Sequence, residues 1–409
     1  MKKIIALLLA AVLILSMAAC AKEPADTTGS TDPSKDVSKL DEIYRRDSYT
    51  ASDEDVAAAQ KEVVGFAGEG ELTNGMLQIF YWMEVYNFIS TNGNYIALYG
   101  IDLTKPLDEQ PCVNTDGTWQ HYFLKAALDS WHCYHALAQM AEETNTPMDE
   151  DLKKDLDALP DLMAKRAKEE GFTDLDAVIR ADAGAGCTIQ DYYDYTEMCY
   201  MAFSYFNRMK AKIDPTDAMI EQYFNKYQSE LSVNKNSGNN HSVRHVLIKV
   251  SGGTKDENGK TTYSDTDWEN CRSVAQKLLD DWLAGEHTEE TFSAMAKEHS
   301  EDTGSNTNGG LYEGLNESTN FVTEFKEWYL AEGRKAGDYG LIKTDYGYHI
   351  MYYSTIEPQW ITVCRQGVIS EQSAKIVADA TEKYEAMVTF NKLLLGQVSL
   401  SESKNNTSE

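Results

Sequence analysis

The chain has 409 residues, with 66 Asp and Glu against 37 Lys and Arg and a formal charge of −29. Such acidity excludes a nucleic-acid binder, because phosphate recognition needs a basic face. It also repels anionic lipid headgroups, so any membrane contact must come from something other than a basic surface.

Lys2 and Lys3 precede the apolar run Ile4–Leu15, and Met17-Ala18-Ala19-Cys20 sets small residues before a cysteine. This is the pattern of an export signal over residues 1–20, and its end resembles a bacterial lipobox. The resemblance implies cleavage before Cys20, lipid on its thiol, and a chain held at the extracytoplasmic face of a bacterial cell membrane. No later stretch is apolar and uncharged over the ~18 residues that a membrane span requires. Residues 21–40, rich in Thr, Ser, Asp, Lys and Pro, read as a flexible tether.

Six further cysteines, Cys112, Cys133, Cys187, Cys199, Cys271 and Cys364, show no C-x-x-C spacing. An exported chain can pair such residues, but this one is long enough to fold on a hydrophobic core, and buried thiols are the favoured reading.

Residues 41–235 alternate helical patterns with polar breaks. Acids at Asp53-Glu54-Asp55 suit the positive end of a helix, and the dense apolar run within Leu72–Ile89 reads as a buried helix. Helical patterns follow over His121–Met140, Leu152–Glu170, Leu175–Arg180, Ile189–Ile213 and Pro215–Leu231. His121, His132, Cys133 and His135 share one of them. His132 and His135, three apart, have the spacing of metal ligands, but no acid completes an H-E-x-x-H pattern and aromatic residues interleave, so a packed aromatic helix is expected and no metal.

Periodicity is lost over Ser232–Asn240, SVNKNSGNN, which marks a domain boundary. The segment SVRHVLIKV is then apolar on both faces, as a central strand is. Helices are predicted at Asp267–Ala284 and Glu289–His299, a short strand at Gly309–Leu315, a helix at Phe321–Leu330 and a closing hairpin at Tyr339–Thr344 and Tyr348–Ile356. After Pro358, Glu371–Leu395 has apolar residues at steps of three and four, including Val377, Ala380, Tyr384, Met387, Phe390 and Leu394, and reads as an amphipathic helix.

Three motifs in residues 236–357 resemble the parvulin family of peptidyl-prolyl cis/trans isomerases: His245-Val246-Leu247-Ile248, then Ala296, Ser300 and Asp302, then Tyr346-Gly347-Tyr348-His349-Ile350 with Thr344 before it. The resemblance implies a four-stranded antiparallel sheet surrounded by helices. It implies a cluster of His245, Asp302, Thr344 and His349 beneath a bound X-Pro amide, with no cofactor. It also implies a proline pocket. Phe321 and Phe325, four apart on one helix face, stand where the family usually has a methionine and a phenylalanine. The usual G-G-D-L-G-[WY]-[FV] becomes Gly309-Gly310-Leu311-Tyr312-Glu313-Gly314-Leu315, so either Leu311 or Tyr312 serves as a further wall, with Tyr346 beside them. The loop Ser251–Asp265 lacks the clustered Arg and Lys of phosphate-directed members.

The expected fold is therefore α+β. A helical, chaperone-like N-terminal domain (41–235) is completed by a C-terminal helix within 358–409, and the parvulin module is inserted between them. This order is similar to lipid-anchored PrsA-type foldases and periplasmic SurA-type chaperones. It implies unfolded or nascent exported proteins with X-Pro bonds as partners, membrane attachment through Cys20 and no nucleic acid. Two activities fit: isomerisation by noncovalent stabilisation of the twisted amide, or a catalytically weak module in a chaperone that holds clients.

Overall fold

The structure, a computed structural model, describes residues 43–400 apart from 44, 113–115, 256–258, 260 and 399. The export signal, Cys20 and the tether lie outside the described residues. Among those described, no helix is long and apolar enough to cross a membrane. The chain divides into two compact units, Met1–Asp214 with Ile369–Glu409, and Pro215–Val368.

The first unit is mainly helical. Ser52 caps α1 (Asp53–Ala59), its side chain accepting from Asp55 N–H while three acids occupy the first turn. A hairpin of β1 (Val63–Ala67) and β2 (Gly70–Thr73) follows, which the helical reading of this region did not contain. Thr73 then caps α2 (Asn74–Asn92), which starts just after the second strand. Leu77, Ile79, Phe80, Tyr81, Trp82 and Val85 bury most of its circumference, as a helix apolar on all sides should. Next come α3 (Trp119–Glu143), α4 (Glu150–Glu170), α5 (Leu175–Ala183) and α6 (Ile189–Lys210). Trp119, Phe123, Trp131, Tyr195 and Phe206 from α3 and α6 join the same core.

The second unit opens with α7 (Asp217–Tyr227), whose Ile220 and Phe224 pack with Cys364. For that reason the boundaries expected at 235/236 and 357/358 fall inside this unit. The sheet follows, from β3 (Asn239–Lys249), with the short hairpin β4 (Thr254–Lys255) and β5 (Thr261–Thr262) standing apart from it. Then come α8 (Asp265–Ala284), α9 (Glu289–His299), β6 (Leu311–Leu315), α10 (Thr323–Leu330), β7 (Tyr339–Thr344) and β8 (Gly347–Pro358). Four strands lie in the order β6-β3-β8-β7, all neighbours antiparallel.

Alternation along the two central strands gives this sheet two cores. Val246, Ile350 and Tyr352 meet Leu279, Trp282, Phe292 and Ala296 of α8 and α9 on one face. Val243, Met351 and Tyr353 meet Phe325 and Tyr329 of α10 on the other. A buried phenylalanine stabilises such a layer by roughly 2–3 kcal/mol.

The last helix, α11, runs over Gln359–Lys383 and not over Glu371–Leu395. It begins immediately after β8, because Pro358 is still paired with Asn239 at the strand's end. Val377 and Ala380 are buried as expected, but beyond Lys383 the chain becomes β9 (Ala386–Val388), antiparallel to β1. Met387 is 68% exposed there. The β2-β1-β9 sheet thus joins segments more than 300 residues apart.

All six cysteines named above are free and buried.

Candidate active site

Register places the two histidines of the sheet together. His245 pairs with Met351 and His349 with Leu247, so the rings are diagonal neighbours on one face. They stack with centroids 5.2 Å apart at 15°, and their Nδ1 atoms are 3.0 Å apart. His245 Nε2 lies 2.8 Å from Asp302 Oδ2, and His349 Nε2 lies 2.9 Å from Thr344 Oγ1. His245, His349 and Thr344 are all buried, while Asp302 is half-buried.

Backbone geometry holds these groups in place. Ser300 Oγ accepts from Leu247 N–H at 3.1 Å and from Asp302 N–H at 3.3 Å, which ties the loop after α9 to β3. Gly310 adopts φ +74°, and a Cβ there would stand 2.2 Å from His245 O, so the strand carrying His245 admits only glycine beside it.

The polar wiring has one consistent direction. Asp302 Oδ2 accepts from His245 Nε2, from Ser305 Oγ at 2.6 Å and from Tyr312 OH at 2.9 Å, and Oδ1 accepts from Gly304 N–H. These donors, the His245 hydrogen bond foremost, hold the carboxyl far below the usual carboxylate range. Burial pushes His349 down to about 3, with the adjoining His245 adding to the effect, so its ring is neutral. In the tautomer of His245 that donates from Nε2 and accepts at Nδ1, His349 donates from Nδ1 and accepts at Nε2 from Thr344 O–H. Tyr346 N–H in turn donates to Thr344 Oγ1 at 3.2 Å. In that tautomer donation runs from the β7–β8 turn to the carboxylate.

That wiring excludes a hydrolytic triad, although Ser305, His245 and Asp302 supply its residue types. Ser305 Oγ is 3.1 Å from His245 Nε2, but this nitrogen carries the proton given to Asp302 and has no lone pair for the serine. The carboxylate and His349 are too weakly basic to act as bases near neutral pH. What remains is an ordered field of dipoles ending on an anion.

Aromatic walls adjoin it. Phe325 stands edge-on to His245 (5.2 Å) and to His349 (5.7 Å), and Phe321 stacks on Phe325 at 4.8 Å. Tyr312 meets Phe321 edge-on at 4.9 Å. Leu311, one residue earlier on β6, pairs with Arg244, whose side chain bonds Glu289 of α9. Alternation therefore carries Leu311 to the opposite face, and Tyr312 is the residue that reaches the cluster. The Tyr346 side chain is 60% exposed in the turn, and its backbone N–H is what supports the cluster. Ser305, fully buried and bonded to both Asp302 and His245, was not singled out from sequence. Its three-residue offset from Asp302, a spacing typical of local side-chain turns, is the one sequence sign of it.

The three histidines of α3 form no such cluster. His121, His132 and His135 each place Nε2 on a backbone carbonyl, of Arg46 (2.9 Å), Tyr384 (2.7 Å) and Ala67 (3.1 Å). Among the described residues no group of three or more His, Cys, Asp or Glu is arranged to hold a metal.

Residues 227–354 match the family model described as the PPIC-type PPIASE domain. The chain carries a parvulin-type peptidyl-prolyl isomerase domain and is a peptidyl-prolyl cis-trans isomerase. It is related to the PrsA foldases. Over 227 residues it is 26% identical to foldase protein PrsA 1 of Listeria monocytogenes serotype 4b, covering 49% of this chain and 74% of that protein. Against PrsA 1 of Listeria innocua serovar 6a the identity is 25%, with the same 49% and 74% covered. Among solved structures, PrsA from Bacillus subtilis is 18% identical, with 67% of this chain and 90% of that one covered and a TM-score of 0.33. A structure of SurA-like chaperones from Campylobacter jejuni is 16% identical, with 60% and 90% covered and a TM-score of 0.22.

Proposed function

We propose that this chain is a lipid-anchored, extracytoplasmic foldase that turns X-Pro bonds of exported proteins, with the helical unit holding unfolded clients. The observation that carries the reading is the hydrogen-bonded chain of Thr344, His349, His245 and Asp302 set against the Phe321–Phe325 stack. An X-Pro amide turns slowly because resonance must be broken, a barrier of ~18–20 kcal/mol. No bond has to be made or cut. The aromatic walls take the proline ring, and the fixed dipoles favour the twisted state in which carbonyl and nitrogen are decoupled. Stabilising that state by ~4 kcal/mol accelerates rotation about a thousandfold. The lack of a competent base or activated serine in the cluster supports this noncovalent route. Attachment rests on the sequence of residues 1–20, with Cys20 as the lipidated residue, and residues 236–357 are the proposed catalytic module.

The deciding measurement is isomerisation of a proline peptide by the wild type and by His245→Ala combined with Asp302→Ala. Loss of activity to the uncatalysed rate is expected. Equal rates would remove the enzymatic role of this cluster. For the anchor, Cys20→Ala should move the chain from the membrane fraction to the soluble one, and unchanged partitioning would exclude lipid on Cys20.

A further inference from the structure

The proline pocket of this chain contains a hydroxyl where the family pattern has an apolar side chain, and that hydroxyl makes a specific bond. Tyr312 OH donates to Asp302 Oδ2 at 2.9 Å, on the same oxygen that receives His245 Nε2 and Ser305 Oγ. We propose that Tyr312 is a positioning residue of the isomerase site, its phenol anchoring the Asp302 carboxylate against His245 while its ring walls the pocket. This rests on the function proposed above.

The three donors differ in where they come from. Ser305 is in the same loop as Asp302, three residues on, so its hydrogen bond to Oδ2 moves with that loop, and its contact outside the loop is with His245 Nε2 itself. Tyr312 is on β6, which pairs with β3, the strand that bears His245. Its hydroxyl therefore ties the carboxylate to the sheet, independently of His245. The ring is braced as well: it is edge-on to Phe321 at 4.9 Å and tilted against His245 at 5.5 Å. With both tethers, Oδ2 has a fixed direction of approach to Nε2, and the His245 tautomer follows from it. With the phenol removed, the half-buried carboxylate can turn on its own loop, and the proton of His245 is no longer confined to Nε2. The same burial and the bond to Asp302 raise the phenol above its ordinary range, so it remains a donor at any pH the protein meets.

Tyr312→Phe keeps the ring and deletes the hydroxyl, so it separates anchoring from pocket shape. In the intact chain, kcat for a proline peptide is expected to fall roughly tenfold, the loss of one charge-assisted hydrogen bond, with KM changed less than about twofold. Tyr312→Leu, which also removes the wall, is expected to raise KM in addition. The second readout does not depend on turnover. Ring nitrogen NMR of selectively labelled histidine should show His245 protonated at Nε2 in the wild type and a mixture of tautomers in Tyr312→Phe. Wild-type kcat together with an unaltered His245 spectrum in Tyr312→Phe would overturn the proposal. Should the wild type fail to isomerise, the function proposed above fails and the spectrum alone decides: altered tautomers uphold the anchor, unaltered ones overturn it.

Discussion

The histidines of α3 and His245 of the sheet serve different purposes, and the partner of Nε2 tells them apart. In the helical unit, His121, His132 and His135 each give that nitrogen to a backbone carbonyl. A carbonyl accepts a hydrogen bond and passes nothing on, so each ring is a strut between α3 and a neighbouring segment. In the isomerase unit, His245 gives it to a carboxylate, and its other nitrogen meets a second histidine. Rings of the same type become one polarised chain where an anion ends it.

The comparison is broken most severely at Phe325, the wall that keeps the two sheet histidines dry. Phe325→Ala should cost about 3–5 kcal/mol, as large-to-small changes in a filled core do, read as a lowered urea midpoint. A loss under about 1 kcal/mol would mean that the wall collapses readily and does not define the site.

Acid gives the next largest effect. His349 binds its proton only near 3 in the folded state, whereas an unfolded histidine binds one near 6.5. The unfolded state therefore takes up protons first, and stability present above about pH 6.5 is lost as pH falls toward 3. At 1.36 kcal/mol per unit this is about 2 kcal/mol between pH 6 and pH 4.5. Burial depresses His121 and His135 as well, so the titration must be followed ring by ring. His349 should show no shift in its proton spectrum between pH 7.5 and pH 4.5, and a midpoint near 6 would contradict its neutral place in the chain.

A strut should matter least. His135→Gln removes one hydrogen bond to Ala67 O and should cost about 1 kcal/mol, with isomerisation of a proline peptide unchanged. A fall in that rate beyond about twofold would show that the division between struts and chain is drawn in the wrong place.

The isomerase sheet was legible because its central strands are long, apolar on both faces and interrupted by histidine. Asp302, Phe321 and Phe325 were legible through the resemblance to the parvulin motifs, and Phe321 lies just before α10 and not on it. The β1-β2-β9 sheet was not. Its strands have three to five residues, one contains Gly65, and the third arrives from the far end of the chain, so no local period announces it. The last helix was displaced for a related reason. Pro358 and the residues after it read as a break, yet the proline lies before the first helical turn and those residues are carried inside α11. The choice between Leu311 and Tyr312 could not be made from the motif, because it depends on which face β6 turns toward α10.

The isomerase unit occupies one unbroken stretch, residues 215–368, while the helical unit is written on both sides of it. Val377, Ala380, Leu393 and Leu395 belong to the same core as Leu77 and Trp131. A chain emerging with its N-terminus first therefore delivers every residue of the isomerase before the helical core can close. For that interval the helical core lacks the side chains of Val377, Ala380, Leu393 and Leu395, while every residue of the isomerase unit has been made.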